Sequence, residues 1–147
     1  MTATSAADPA VRVLTALLEA EHAVLYGYGV LGARLADDAL VVAQAAASAH
    51  RAQRDRLVGL LRDRGAEPPA PAAAYDAVAA GAADALALAV RLETGLGVLF
   101  RDLVGSTDDP RLRRIGVDGL VETAVRAASW RSRLGAVPAT EAFPGTA

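Results

Sequence analysis

The chain has 147 residues, enough for one domain with a sizeable core, and a formal net charge of -2. That charge gives no strong attraction to nucleic acid or to an anionic membrane, so we expect neither as a partner. The sequence contains no cysteine, which excludes disulfides, thiolate catalysis and cysteine-ligated metal sites. It also shows no apolar run of about 18 residues and no secretory signal pattern, which favours a soluble, cytoplasmic protein.

Apolar residues recur at helical spacing in four segments of the chain, which predicts four helices. Each segment is bounded by residues that start or stop helices. Aspartate followed by proline stands at 8–9 and again at 109–110, Asp37 and Asp38 are candidate N-caps, and Gly65 and Gly135 are candidate stops. The predicted helices span residues of about 9–35, 39–64, 82–104 and 110–134, and residues 135–147 form a tail.

The connections between the helices predict how they are arranged. The turns near residues 36–38 and 105–109 are short, so they join antiparallel neighbours. The proline-rich stretch 66–74 cannot propagate a helix and forms one long connection between the two hairpins. We therefore predict an all-α, antiparallel four-helix bundle that occupies residues 1–147 as a single domain. Phe143 is expected to pin the tail to the bundle surface, with Trp130 as an anchor for it.

Four polar residues interrupt the apolar stripes, one near the middle of each predicted helix: Glu21, His50, Glu93 and Glu122. The spacing from Glu21 to His50 is 29 residues, and the spacing from Glu93 to Glu122 is also 29. Two hairpins of equal reach would bring all four side chains to a similar level of the bundle. Buried ionised groups must be paired, protonated or bound to metal. The four residues are therefore the candidate site.

One interpretation of this site is a metal centre, because carboxylates and imidazole inside a bundle are ligands for Fe or Mn. A paired metal site takes one Glu from each of two helices and a Glu-x-x-His pair from each of the other two. Here the residue three positions before His50 is Ala47 instead of Glu, and the residue three positions after Glu122 is Val125 instead of His. The ligand set is incomplete, which argues against a di-iron or di-manganese centre.

The other interpretation is a hydrogen-bonded or arginine-paired polar network in the core. Arg54 and Arg126 each lie one turn beyond a member of the site, and either could supply the positive charge that a metal would otherwise provide. Tyr28 and Glu93 could instead line a pocket open to solvent, which would favour a small-molecule carrier.

Several short motifs along the chain resemble a known family. They are Ala20-Glu21-His22-Ala23, Tyr26-Gly27-Tyr28-Gly29, His50-Arg51 with Arg54-Asp55, the loop from Gly65 to Pro71 with Tyr75, Leu92-Glu93, and Trp130-Arg131 with Phe143-Pro144-Gly145. With them the chain resembles the ferritin-like superfamily and, within it, the actinobacterial DUF4439 family of unknown function. The resemblance implies a ferritin-like four-helix bundle, and it implies no reaction because the family has no assigned one.

These observations leave three hypotheses for the function. The first is a ferritin-like bundle, not an enzyme, with a degenerate Glu/His core and a role in binding or association. It would form a homodimer through glycine- and alanine-rich helix faces. The second is a metal-dependent oxidoreductase or metal-binding protein, with Fe or Mn held by the four candidate residues. The third is a small-molecule binding protein that uses the same cavity without metal.

Overall fold

The computed structural model describes residues 8–146, so residues 1–7 and 147, at the two ends of the predicted domain, lie outside it. The helices are α1 Pro9–Gly32, α2 Asp37–Arg62, α3 Ala82–Gly105 and α4 Pro110–Arg133. The described residues contain no β-strand, which confirms the all-α class. No helix within residues 8–146 is long and apolar enough to cross a membrane.

The residues that were predicted to start or stop helices do so at three of the four helices, α1, α2 and α4. Asp8 caps α1 by accepting a hydrogen bond from the backbone N–H of Ala10 at 2.9 Å, and Asp109 caps α4 in the same way. Gly65 and Gly135 follow α2 and α4 with φ of 68° and 78°. Glycine adopts this left-handed conformation without the clash that a Cβ would cause. The two helices end shortly before these glycines, α2 at Arg62 instead of residue 64 and α4 at Arg133 instead of residue 134.

The junction between α1 and α2 differs from the prediction. Helix α1 ends at Gly32 and does not reach residue 35, and α2 begins at Asp37 instead of 39. The N-cap residue is Ala36, whose side chain makes no capping bond, so the expected cap by Asp37 or Asp38 is wrong. Both aspartates lie in the first turn, where their charge interacts favourably with the helix dipole.

Hairpin partners run antiparallel and pack closely. In the first hairpin, Glu21 contacts His50, while Gly32 at the end of α1 lies beside Leu40 near the start of α2. In the second hairpin, Gly97 of α3 lies beside Thr123 of α4. Gly116, near the start of α4, faces residues near the end of α3. These pairings confirm the antiparallel bundle at the level of each hairpin.

Two ion pairs join α2 to α4 at opposite ends of the bundle. Arg133 at the end of α4 binds Asp38 at the start of α2, at 2.8 Å. Arg64, just after α2, binds Asp109, just before α4, at 3.2 Å. Because the start of one helix meets the end of the other at both ends, α2 and α4 are antiparallel as well.

Helices α1 and α3 approach closely at a glycine. A Cβ on Gly27 would lie 2.6 Å from Leu92 Cδ1, so the absence of a side chain at residue 27 leaves the space that the Leu92 side chain occupies. The Arg34 side chain, beyond the end of α1, donates to the carbonyl of Ala79, just before α3, which makes this pair antiparallel too. A Cβ on Gly29 would meet no atom within 4 Å, so close approach explains only some of the glycines of α1.

Helix α4 is rotated relative to the prediction. The apolar stripe that Glu122 was predicted to interrupt would face the core, but Glu122 is exposed, as are Val125 and Ser129 on the same side of the helix. The buried face is formed instead by Leu112, Ile115, Gly116, Gly119, Thr123, Ala127 and Trp130. Contact between Gly119 and the ring of Phe100 sets this rotation, because a Cβ on Gly119 would lie 2.4 Å from the ring.

The tail is attached differently from the prediction. Phe143 is 76% exposed, so it does not pin the tail to the bundle. Gly145 is buried instead, and a Cβ there would lie 3.0 Å from the carbonyl oxygen of Gly97. Trp130 is fully buried in the core and donates to the Tyr28 hydroxyl of α1, and its role as an anchor for the tail stays a prediction.

Candidate functional site

Three of the four predicted residues meet in the centre of the bundle. His50 lies between two carboxylates, with Nδ1 2.9 Å from Glu21 Oε2 and Nε2 2.9 Å from Glu93 Oε1. The three residues come from α1, α2 and α3, and each is at most 1% exposed. The 29-residue spacing of the first hairpin therefore predicted a real contact.

Both ring nitrogens of His50 face a carboxylate oxygen, and an ionised carboxylate only accepts, so both nitrogens donate and the ring is the imidazolium form. Burial by itself lowers the pKa of His50. The hydrogen bonds and charges of Glu21 and Glu93 outweigh that effect and raise the pKa from 6.5 to about 9. At neutral pH the imidazole is thus charged, and neither ring nitrogen has a lone pair free to bind a metal or accept a proton.

Glu93 is the centre of the network because three other side chains bind it. Tyr28 donates to Glu93 Oε1 at 2.5 Å, which is the oxygen that His50 also binds. Arg126 donates from Nε to Glu93 Oε2 at 3.0 Å. Burial acts to raise the pKa of Glu93, but the bonds and charges of His50 and Arg126 reverse this and lower the pKa below 4.5. Both oxygens of the Glu93 carboxylate therefore accept hydrogen bonds.

Tyr28 extends the network to α4. Its hydroxyl accepts a hydrogen bond from Trp130 Nε1 at 3.0 Å while it donates to Glu93. Its ring also lies beside that of His50, with 5.1 Å between the ring centroids. Burial, followed by the charge of Glu93, raises the pKa of Tyr28 well above its ordinary value of 10. Tyr28 is therefore a protonated donor and cannot act as a base near neutral pH.

The charges of the network balance. Two carboxylates, Glu21 and Glu93, are matched by two cations, His50 and Arg126. This matching allows charged groups to persist in a core where each alone would be costly. Within residues 8–146, two buried side-chain atoms lack a protein partner, Glu21 Oε1 and Gln53 Nε2. Glu21 Oε1 is thus the one carboxylate oxygen of the network that has no hydrogen-bond partner within the described residues.

The fourth predicted residue, Glu122, is not part of the network. Its side chain is 61% exposed, and its nearest charged partner is Arg126 Nη1 at 3.9 Å. The prediction that Glu122 faces the core is wrong, because the rotation of α4 turns residue 122 outward. Of the two arginines considered as positive charges, Arg126 joins the network, whereas Arg54 forms a surface pair with Asp55.

The residues present do not fit a metal ion in this arrangement. His50 stands between the two carboxylates and uses both ring nitrogens, and three donors already bind Glu93. Within the described residues, no group of three or more His, Asp or Glu side chains is arranged to hold a metal ion. The cations needed to neutralise the carboxylates come from the protein itself.

A cavity of about 170 Å³ lies next to the network, between α3, α4 and the tail. Glu93 borders it at the network side, Leu120 and Ala124 form part of its apolar wall, and Arg131 borders it near the tail. Tyr28 does not line this cavity but a different one, next to α2. Neither of these two cavities is lined by both Tyr28 and Glu93, as the small-molecule hypothesis expected.

The sequence analysis did not predict that Tyr28 and Trp130 belong to the hydrogen-bond network of the site. Tyr28 shares the apolar stripe of α1 with Glu21, seven residues earlier, which is two helical turns. Trp130 lies seven residues after Thr123 on the true buried face of α4. The repeat of small and apolar residues at 112, 116, 119, 123, 127 and 130 was the available signal for that face.

Comparison with known proteins identifies a family and a similar structure. A family model described as a domain of unknown function, DUF4439, matches residues 13–147. The chain is also similar to the crystal structure of a conserved hypothetical protein, Rv2844, from Mycobacterium tuberculosis, at 35% identity and a TM-score of 0.83. That similarity covers 92% of this chain and 97% of the other. No curated protein matches the chain.

Proposed function

Since the chain belongs to the DUF4439 family, whose description assigns no activity, we propose a function from the chemistry of its site. The protein is a ferritin-like bundle that serves as a binding protein, not as an enzyme. A protonated histidine between two carboxylates stands where a metal centre would lie. The observation that carries this proposal is the position of His50, whose two nitrogens bind Glu21 and Glu93 at 2.9 Å each.

The ferritin-like assignment is supported by where the polar residues lie. Glu21, His50 and Glu93 project inward from the middle of three helices in an antiparallel bundle, as ligands do in carboxylate-bridged metal proteins. The whole chain, residues 1–147, would form one such domain. An arginine on α4, Arg126, occupies the side of Glu93 where a cation is needed.

A binding role is favoured over catalysis because the network offers no reactive group. His50 is protonated, Tyr28 is held as a donor, and both oxygens of Glu93 already accept hydrogen bonds. A general acid or base works best with a pKa near the operating pH, and these groups are moved away from it. The adjacent cavity, in contrast, provides an apolar space with a few polar groups, which is typical of ligand sites.

Elemental analysis tests the proposal directly. Protein without a histidine tag, purified from cells grown with added iron and manganese, should contain far less than about one metal ion per chain. The Glu21→Gln and Glu122→Gln variants should give the same low value. Stoichiometric Fe or Mn that is lost in Glu21→Gln but kept in Glu122→Gln would contradict the proposal.

Such a result would establish the second candidate, a metal-binding protein or oxidoreductase with a reduced site. The observation in its favour is Glu21 Oε1, which is buried and has no protein partner. A metal there would require the His50 imidazolium to lose one proton and turn the freed nitrogen toward the ion. Metal affinity would then rise with pH, since the ligands must be deprotonated.

We also propose that the protein is a cytoplasmic homodimer. An apolar stripe on α4 supports the association, because Val117, Val121 and Val125 are exposed at successive helical turns. Sedimentation equilibrium should give twice the chain mass, and Val121→Glu should reduce it to that of one chain. A wild-type protein that remains monomeric at about 0.1 mM would contradict this proposal.

A further inference from the structure

The cavity between α3, α4 and the tail has one charged group placed to bind a ligand, Arg131. Its Nη2 donates to Thr94 Oγ1 at 3.0 Å and to Glu141 Oε1 at 2.5 Å. The Arg131 side chain is 16% exposed, whereas Glu141 is 37% exposed. Glu141 belongs to the tail, whose described residues 135–146 contain no helix or strand. Arg131 of α4 thus binds a carboxylate, that of Glu141, which lies on the irregular tail.

Thr94 orients Arg131 independently of the tail, because both residues lie on helices, α3 and α4. Both described bonds of the guanidinium use Nη2, so the fork retains further donors at Nε and Nη1. A guanidinium binds a planar carboxylate with two parallel bonds when its geometry is fixed. Arg131 is therefore prepared to bind a carboxylate from another source in place of Glu141.

The rest of the cavity sets the size and polarity of such a ligand. Small residues create the space, among them Gly97, Ala124 and Ala128, and Leu120 adds apolar surface. An apolar cavity of about 150 Å³ in another protein holds benzene. The present volume of about 170 Å³ therefore suits a compact apolar group of about six to eight heavy atoms.

The charges around the cavity favour an anion over a cation. Glu93 borders the cavity, but Arg126, His50 and Tyr28 already bind it, so it offers little to an incoming cation. Arg131 loses its counter-charge whenever Glu141 leaves. A ligand carboxylate would restore the same charge balance that the tail provides.

We infer that this cavity binds a small monocarboxylic acid with a compact apolar body, whose carboxylate replaces that of Glu141 on Arg131. The apolar body lies between α3 and α4 beside Gly97 and Ala124. Glu141 then acts as an internal competitor, and the tail moves away from Arg131 when the ligand binds. This inference rests on the proposed binding function and specifies the ligand.

Isothermal titration with benzoate tests the inference, with benzamide as a neutral molecule of the same shape. Benzoate should bind the wild-type protein with a dissociation constant below about 1 mM. Benzamide should bind about tenfold more weakly, because it lacks the charge that pairs with Arg131. Glu141→Gln should bind benzoate about fivefold more tightly or better, since the competing carboxylate is removed.

Arg131→Gln should weaken benzoate binding about tenfold or more, whereas Arg133→Gln provides the matched control. Arg133 lies in the same last turns of α4 and also pairs with a carboxylate, but that carboxylate is Asp38, away from the cavity. Thermal melting of each variant verifies that it is folded.

Equal benzoate affinity in Arg131→Gln and Arg133→Gln would overturn the inference. So would a Glu141→Gln protein that binds benzoate no better than wild type, or that fails to bind it at about 10 mM. Any of these results would show that the cavity does not bind a carboxylate at Arg131. None of them bears on whether the protein contains metal. Failure of the proposed metal-free function would instead appear in the elemental analysis, so the two failures are distinguishable.

Discussion

The two hairpins of this bundle have the same spacing of polar residues but use it differently. In α1–α2, Glu21 and His50 are 29 residues apart and form a 2.9 Å hydrogen bond in the core. In α3–α4, Glu93 is buried but Glu122, also 29 residues later, is 61% exposed. Equal spacing along the chain therefore places residues at a similar height, but it does not determine which way each side chain points.

The rotation of α4 explains the difference between the hairpins. Gly119 packs directly against the ring of Phe100, and Gly116 approaches the backbone of α3. Residue 122 is about 100° around the helix from the buried Thr123, at 3.6 residues per turn. Arg126, one turn after Glu122, then reaches Glu93. The second hairpin thus supplies a cation where the spacing alone predicted an acid.

Substitution of the two glutamates of the second hairpin should show the largest contrast. Glu93→Gln leaves His50 and Arg126 without their shared counter-charge in the core. We expect the free energy of unfolding to fall by about 3–5 kcal/mol. Glu122→Gln should change it by less than about 0.5 kcal/mol, because the side chain is exposed. Urea denaturation measures both, and equal effects would contradict the difference between the hairpins.

The pH dependence of stability should report the charged state of His50. Its pKa is about 9 in the folded protein against an ordinary 6.5, so its stabilisation is complete below pH 6.5. That stabilisation, about 3 kcal/mol, is lost as the pH rises through 9. The pKa of Glu93 is lowered, so its contribution is complete above pH 4.5 and is lost in acid as the pH falls through the lowered value.

Stability should therefore be greatest between about pH 4.5 and 6.5. Urea denaturation at pH 5.5, 7.5 and 9.5 measures the alkaline decline. His50→Gln should flatten that decline, while His22→Gln, which removes a side chain bound to the carbonyl of Pro69, should leave it unchanged. A wild-type protein that is equally stable at pH 5.5 and 9.5 would refute the imidazolium assignment.

Two glycine substitutions test whether close packing sets the rotation of α4. Gly119→Ala would place a methyl group 2.4 Å from the ring of Phe100, and we expect a loss of about 1–3 kcal/mol. Gly29→Ala, in α1, meets no atom within 4 Å and should stabilise the helix by about 0.5–1 kcal/mol. Thermal melting measures whether each variant is more or less stable than the wild-type protein. A neutral Gly119→Ala would mean that another contact determines the rotation.

Two tyrosines of α1 offer the smallest and most specific contrast. Tyr28→Phe removes the hydroxyl that links Glu93 to Trp130, and we expect a loss of about 1–2 kcal/mol. Tyr26→Phe changes a ring that is 41% exposed and packs beside Tyr75, so the expected change is below about 0.5 kcal/mol. If both variants have the same stability, Tyr28 does not couple the two hairpins.

Periodicity and capping residues predicted the four helices because these signals are local. An aspartate before proline caps a helix through its own side chain, as Asp8 and Asp109 do, wherever the helix later packs. The α1–α2 junction was predicted less well because nothing local marked Ala36 as the cap. The tail was predicted wrongly for a related reason, since apolar character alone could not show that Gly145 and not Phe143 would be buried.

The sequence by itself determined the all-α class, the antiparallel hairpins and the presence of Glu21, His50 and Glu93 in the core. Each of these follows from spacing along one helix or across one short turn. Only the tertiary structure decided that Arg126 and not Glu122 completes the site, and that Arg131 and Glu141 meet beside it. Those contacts depend on how two helices rotate against each other, which is set by the fit of Gly119 to Phe100 across the interface.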